Sequence, residues 1–284
     1  MADTLPANGH PAREELATAD IALRIGDHQL RTKVTVPTAN VGLKQLLPMM
    51  QSVSSSIVQI GEKNVEDRGL TISCQKGCGA CCRQLVPIAP VETHGIRELV
   101  DKMPEPRKTE ILRRFADAKE KMTANGMWQK LDQRADWPED EVLKIGIDYF
   151  KLGVACPFLE EESCSIHLDR PMACREYLVT SPAVNCSNPT PEGVEWVPMP
   201  AKVWTVAAKV EQLGTPSNET VPPQRYLPWV PLIQALDYAA DHAEGPERPG
   251  TEWVRDIFNG IAKEGAKPSC ASESPLLGTP GRAN

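Results

Sequence analysis

The sequence predicts a mainly α-helical protein with a small N-terminal β-hairpin, its helices packed around an irregular cysteine-rich core. Three observations carry this reading. Apolar residues recur at helical spacing through several long segments, of which residues 41–66 form the longest. One early stretch, residues 21–36, instead has Ile21, Leu23 and Ile25, then Val34 and Val36, around the turn pair Gly26-Asp27. Eight of the nine cysteines fall into two sets, at 74–82 and 156–186.

The chain has 284 residues, enough for one large or two modest domains with a real core. A single globular domain is expected over 21–265, with the cysteine core at about 70–190 and disordered segments at 1–20 and 266–284. Lys+Arg 31 against Asp+Glu 38 leaves a net charge of −7, so no general basic surface suits nucleic acid or an anionic membrane. Residues 1–20 are polar, and no apolar run reaches the ~18 residues that span a bilayer. A cytoplasmic location is therefore expected. In that reducing compartment clustered cysteines bind metal or do redox work more often than they form disulfides, whereas export would allow four bridges with one cysteine over.

In chain order, the hairpin at 21–36 is followed by the helix at 41–66, where Pro48 marks a first turn or a kink. Residues 85–88 are short and apolar. Ala89-Pro90 introduces a helix at 91–102 whose start carries Glu92 and His94. Glu92 either complements the helix dipole or orients a metal ligand, and His94 reads as a surface or half-buried histidine. Residues 106–123 form an amphipathic helix with Ile111, Leu112, Phe115 and Ala118 on its apolar side; its basic residues alternate with acids and read as a solvated face. After a polar stretch with Trp128 and Trp137, residues 139–152 form a helix that ends at Gly153. A short strand is expected at 194–200, then helices at 202–213, 229–242 and 251–264, with 245–250 as a break.

The first cysteine set, Cys74-x3-Cys78-x2-Cys81-Cys82, packs four thiols into nine residues. A short loop with this spacing folds back so that several thiolates meet one centre, as tetrahedral zinc or an iron–sulfur cluster requires, and Gly77 and Gly79 permit the tight turns. Adjacent side chains rarely reach one small ion together, so one of Cys81 and Cys82 serves a second metal or is simply buried. The second set, Cys156, Cys164, Cys174 and Cys186, supplies the other half. Pro157, Phe158 and Leu159 wall it from water, and 160–162 form a solvent-facing hairpin tip. Pro171 suits the first turn of a helix in which Cys174 sits near free backbone N–H groups that favour thiolate. Arg170 and Arg175 either offset the charge of a thiolate centre or pair with Glu160 to Glu162 or Glu176. His167 either joins the ligands or covers them.

These residues carry a resemblance. Cys74-x3-Cys78-x2-Cys81-Cys82, followed by Cys156-Pro-Phe-Leu, Cys164-x-Ile, Arg170-Pro171 and Cys174-Arg175-x-Tyr177, resembles the CxxCxxCC cysteine-cluster family of zinc- or iron-chelating domains over about residues 70–190. The chain departs from the family at His167, where Tyr is usual. The resemblance implies a zinc or iron centre, an iron–sulfur cluster being one form of it, held by Cys74, Cys78, Cys81, Cys82, Cys156, Cys164, Cys174 and Cys186, with Arg175, Glu92 and Tyr177 beside it. The family includes flagellin lysine N-methylase, which adds a second reading, an iron–sulfur-dependent protein lysine methyltransferase. Against that reading, no G-x-G-x-x-G turn follows a strand. A metal chaperone or store is the third. A hydrolase is disfavoured, because catalytic zinc keeps an open position on about three protein ligands.

Overall fold

The computed structural model describes residues 15–138, 140–190, 193–213 and 227–266. Of the segments expected to be disordered, residues 1–14 and 267–284 lie outside the described residues, whereas Leu16–Asp20 belongs to the first strand. The chain opens with the hairpin: β1 (Leu16–Ile25) pairs antiparallel with β2 (His28–Pro37) from Leu16↔Pro37 to Ile25↔His28. The hairpin is longer than the apolar alternation suggested, because the ladder continues through the polar pairs Asp20↔Lys33 and Thr18↔Thr35. Next come β3 (Asn40–Gly42), a 3₁₀ turn at Leu43–Leu46 and α1 (Leu47–Asp67). The expected helix thus starts six residues late, since Asn40–Gly42 is drawn into a strand pair, and Pro48 sits in the first turn, where its missing N–H costs nothing.

Beyond the first cysteine loop lie β4 (Pro87–Ile88), α2 (Pro90–Asp101), α3 (Arg107–Ala124), α4 (Met127–Asp132) and α5 (Val142–Lys151). The short helix α4 falls in the stretch read as merely polar; Met127, Trp128 and Leu131 are its buried side. The second cysteine set spans β5 (Leu159–Glu160), β6 (Ser163–Cys164), α6 (Met172–Glu176) and α7 (Ala183–Cys186). The chain ends with α8 (Val203–Leu213), β7 (Val230–Pro231), α9 (Ala235–Asp241), β8 (Glu247–Pro249) and α10 (Gly250–Gly265).

Three expectations at this end are corrected. The strand at 194–200 reduces to a single bridge, Val179↔Trp196, because Pro198 and Pro200 bring no N–H to a ladder. The helix expected from 229 begins only at Ala235, since Val230–Pro231 pairs with β4 and a 3₁₀ turn follows at Leu232–Gln234. The break at 245–250 contains a strand, β8, which closes on β3.

One apolar core joins the inner face of the hairpin to α1, α2, α8, α9 and α10, with Met50, Ile57, Trp204, Trp253 and Ile261 at most 1 % exposed. A second cluster lies under α3, α4 and α5. A third, of Ala80, Tyr177, Val179, Cys186 and Val194, is the floor of the cysteine region.

Candidate metal centre

The first loop is fixed at both ends. At its start, the Ser73 N–H donates to the Val179 carbonyl (2.9 Å) and the Ser73 hydroxyl to the Thr180 carbonyl (3.1 Å), which binds it to the segment leading to α7 and Cys186. The chain then turns through Gly77 at φ +88°, a conformation that glycine adopts without strain. Ala80–Arg83 forms a 3₁₀ turn, with the Cys82 N–H donating to the Gly79 carbonyl at 3.0 Å. Gly79 is pressed against the β5–β6 hairpin: a Cβ there would stand 2.7 Å from Leu159 Cδ1 and 2.7 Å from Glu162 Oε2. Arg83 completes the junction by donating to both Glu162 oxygens (2.9 and 2.5 Å) and to the Gly79 carbonyl (3.0 Å).

The second set is built onto the first. The Cys156 N–H donates to the Cys82 carbonyl at 2.7 Å, and the Leu159 N–H to the Cys156 carbonyl at 2.9 Å. The β5–β6 hairpin turns at Glu161 and Glu162, both at positive φ (48° and 56°), and places Cys164 opposite Leu159. Phe158, 1 % exposed, packs edge-on to Phe115 and closes the apolar side. α6 brings Cys174 into place, and two buried carboxylates hold that helix. Glu92 accepts from the Ala89 N–H (2.9 Å) and from the Met172 N–H (2.8 Å), so one side chain caps α2 and fixes the start of α6. Glu176 accepts from the Ser54 hydroxyl (2.8 Å) and the Val203 N–H (2.9 Å). Burial pushes Glu92 up to about 7 and Glu176 up to about 8, so both keep a proton to higher pH than an exposed carboxyl group does.

All eight described cysteines are free; seven are half-buried and Cys186 is buried. They lie in two packing neighbourhoods. Cys74, Cys78, Cys81 and Cys186 surround the Tyr177–Val179 floor, whereas Cys156, Cys164 and Cys174 border the main core. Burial raises the thiols of Cys74, Cys164 and Cys174, lifts Cys186 to about 11 and lifts Cys156 to about 12. Cys81 is raised first by its hydrogen bond to the Cys82 sulfur and then by burial. At Cys174 burial outweighs the thiolate-favouring start of a helix that the sequence suggested. Among the described residues, no three Cys, His, Asp or Glu side chains already stand together as a metal cage. The donor set still suits zinc or iron: thiols crowded where burial opposes their ionisation become thiolates readily once a cation is present.

The residues singled out around the thiols take distinct places. Arg175 donates to the carbonyls of Arg170 (3.0 Å) and Leu168 and to the Ser55 hydroxyl (3.2 Å), which clamps the loop before α6. Arg170 is the cation that acts on sulfur, lowering Cys74, Cys81 and Cys164 against the effect of burial. Neither arginine pairs with the hairpin acids as the alternative reading had it; Glu162 is held by Arg83 and Glu160 by Arg114. Arg170 donates to His167 Nε2 at 2.8 Å, which occupies that ring nitrogen's lone pair. The Tyr177 hydroxyl bonds to the Cys186 sulfur. His94 lies with Lys44, Glu244 and His242. Sequence reasoning missed Arg83, which follows the cysteine run directly, and took Glu176 only as an ion-pair partner of the arginines, whereas it meets Ser54 and Val203.

With this geometry in view, the comparison with known families is direct. Residues 73–192 match the CxxCxxCC family, described as a "Putative zinc- or iron-chelating domain". The match begins at Ser73, the residue bonded to the Thr180 carbonyl, and contains all eight described cysteines. No curated protein and no solved structure matches the chain. No helix of the described residues is long and apolar enough to cross a membrane.

Proposed function

We propose that the chain is a zinc- or iron-binding protein whose centre, drawn from Cys74, Cys78, Cys81, Cys82, Cys156, Cys164, Cys174 and Cys186, closes the fold. The observation that carries this is the 2.7 Å bond from the Cys156 N–H to the Cys82 carbonyl, which seats the two cysteine sets against each other although 74 positions separate them. A cation at their junction offsets charge that burial otherwise opposes. It also links segments that the unfolded chain holds apart, and structural zinc contributes on the order of 10 kcal/mol or more in small domains. The set is rich in thiolate and supplies no evident open position, which suits a structural or storage centre better than hydrolysis. The reading places the protein in a reducing compartment, the cytoplasm.

The test is metal analysis with an optical spectrum on protein purified without oxygen. Stoichiometric zinc or iron is expected, colourless with zinc and brown with an iron–sulfur cluster. Cys78→Ser and Cys174→Ser should each lower both metal content and Tm; unchanged metal and stability in both variants would sink the assignment.

The partial exposure of seven of the eight cysteines favours a second reading, metal handling, in which the ion leaves for a competing thiol ligand. Loss of the metal to a mild chelator within minutes supports handling, and retention supports a resident structural centre.

A further inference from the structure

The first hairpin is a two-stranded sheet, and among the described residues β1 has no strand on its other side. The Thr38 N–H donates to the Glu15 carbonyl at 2.9 Å, in register with the regular ladder that runs from Leu16↔Pro37 to Ile25↔His28. Bonding alternates along an antiparallel ladder. Odd-numbered residues of β1 therefore bond β2, and Thr18, Asp20, Ala22 and Arg24 turn their N–H and C=O groups to the open edge. All four are exposed. Packing holds the Ile25 end of the strand, where a Cβ on Gly265 of α10 would meet Ile25 Cγ2 at 2.4 Å. Beyond that end the apolar face is covered unevenly: Leu30, Val34 and Val36 of β2 are buried, whereas Ile21 and Leu23 of β1 are half-buried. β1 also has neither the proline nor the lysine that commonly blunts an edge strand.

We propose that this edge docks β1 of a second copy of the chain, the two strands running antiparallel about a two-fold axis at Ala22, so that two hairpins join in one four-stranded sheet. Charge selects the register. With Ala22 opposite Ala22, each Asp20 stands opposite Arg24 of the other copy, and each Ile21 opposite Leu23. Both ionic pairs attract, and the apolar pairs fall at the closer, non-hydrogen-bonded positions. An axis at Asp20 or Arg24 would set like charges face to face, and one at Ile21 or Leu23 would leave both charges without an ionic neighbour opposite. Asp20 stands 3.9 Å from Lys33 with its side chain 83 % exposed, so it is open to a second cation. The outer edge of β2 is no equivalent: Arg31 and Lys33 are exposed there, and a copy centred on Thr32 would set cation against cation.

The experiment is sedimentation equilibrium on the full chain under reducing conditions, paired with amide hydrogen exchange over the same concentrations. A dimer is expected, with β1 amides protected at high concentration and released on dilution. Ala22→Pro removes an N–H that the β1–β2 ladder does not use, and should give a monomer with unchanged metal content. Asp20→Arg and Arg24→Asp should each weaken the dimer by about tenfold or more, and the double variant, which exchanges the two charges, should restore it. A wild-type chain that stays monomeric overturns the proposal, as does β1 protected equally at every concentration, which would mean that the chain's own residues cover the edge. A dimer that survives Ala22→Pro, or a double variant no tighter than the single ones, overturns it as well. The charge exchange decides the matter even if Ala22→Pro fails to fold.

Discussion

Glu92 shows how much a single buried side chain can organise. Its two oxygens accept N–H groups from Ala89 and Met172, so the start of α2 and the start of α6 depend on one carboxyl group that is 3 % exposed. Glu92→Ala strands both donors, and each buried donor without a partner costs about 1–3 kcal/mol. We therefore expect a loss of about 2–6 kcal/mol in urea unfolding, with reduced metal retention because α6 carries Cys174. The raised carboxyl groups also set a pH trend. Glu92 is pushed up to about 7, Glu176 to about 8 and Glu211 to about 7, each mainly by burial, from an ordinary value of 4.5. Between 4.5 and those values the folded chain holds protons that the unfolded chain has released. Stability from these groups is therefore full below about pH 4.5 and falls as pH rises towards 8, by ~1.4 kcal/mol per unit for one fully shifted group. Urea midpoints measured from pH 5 to 8 should show the decline. Glu211→Gln keeps an acceptor for the Val91 N–H and should make the slope shallower; an unchanged slope would remove Glu211 from this account.

At the scale of elements, the first loop is pressed closely against the β5–β6 hairpin at Gly79. Gly79→Ala would put a methyl group 2.7 Å from Leu159 and 3.1 Å from the Glu162 backbone, so loop and hairpin must part. Expected is a protein that still folds by far-ultraviolet circular dichroism but holds less metal. Full metal content in this variant would mean that the approach matters little to the centre. The hairpin tip makes the opposite case. A two-residue turn with positive φ at both positions favours Asn-Gly, and here it is Glu161-Glu162. Glu162 is kept for its bonds to Arg83, so the removable strain lies at Glu161. Glu161→Gly should raise stability by about 1 kcal/mol, readable as a higher Tm without any change in metal content.

For the whole molecule, Trp253 ties the last helix to the first strands: it is fully buried, its indole N–H donates to the Val41 carbonyl at 2.9 Å, and Arg248 stacks on its ring at 4.4 Å. Trp253→Ala should cost about 3–5 kcal/mol, the usual loss for a large buried aromatic, and a cost below 1 kcal/mol would show that the closure is dispensable. Much of this architecture was legible beforehand. The segments at 91–102, 106–123 and 251–264 are helical because their apolar residues keep one face, and the first hairpin follows from its alternation. What stayed hidden were pairings between distant short segments, β3 with β8 and β4 with β7, since two or three residues carry no period and Pro231 and Pro249 argue locally against a strand. The thiols were legible from spacing, but not their grouping, which depends on how Ser73 and Cys82 are bonded across the fold. Those same bonds have a consequence in time. A ribosome adding ~5–20 residues per second needs roughly 4–15 s to go from Cys82 to Cys156. Throughout that interval the newly made chain carries four thiols whose partners have not been synthesised, and the redox state and free metal of its surroundings then govern what becomes of them.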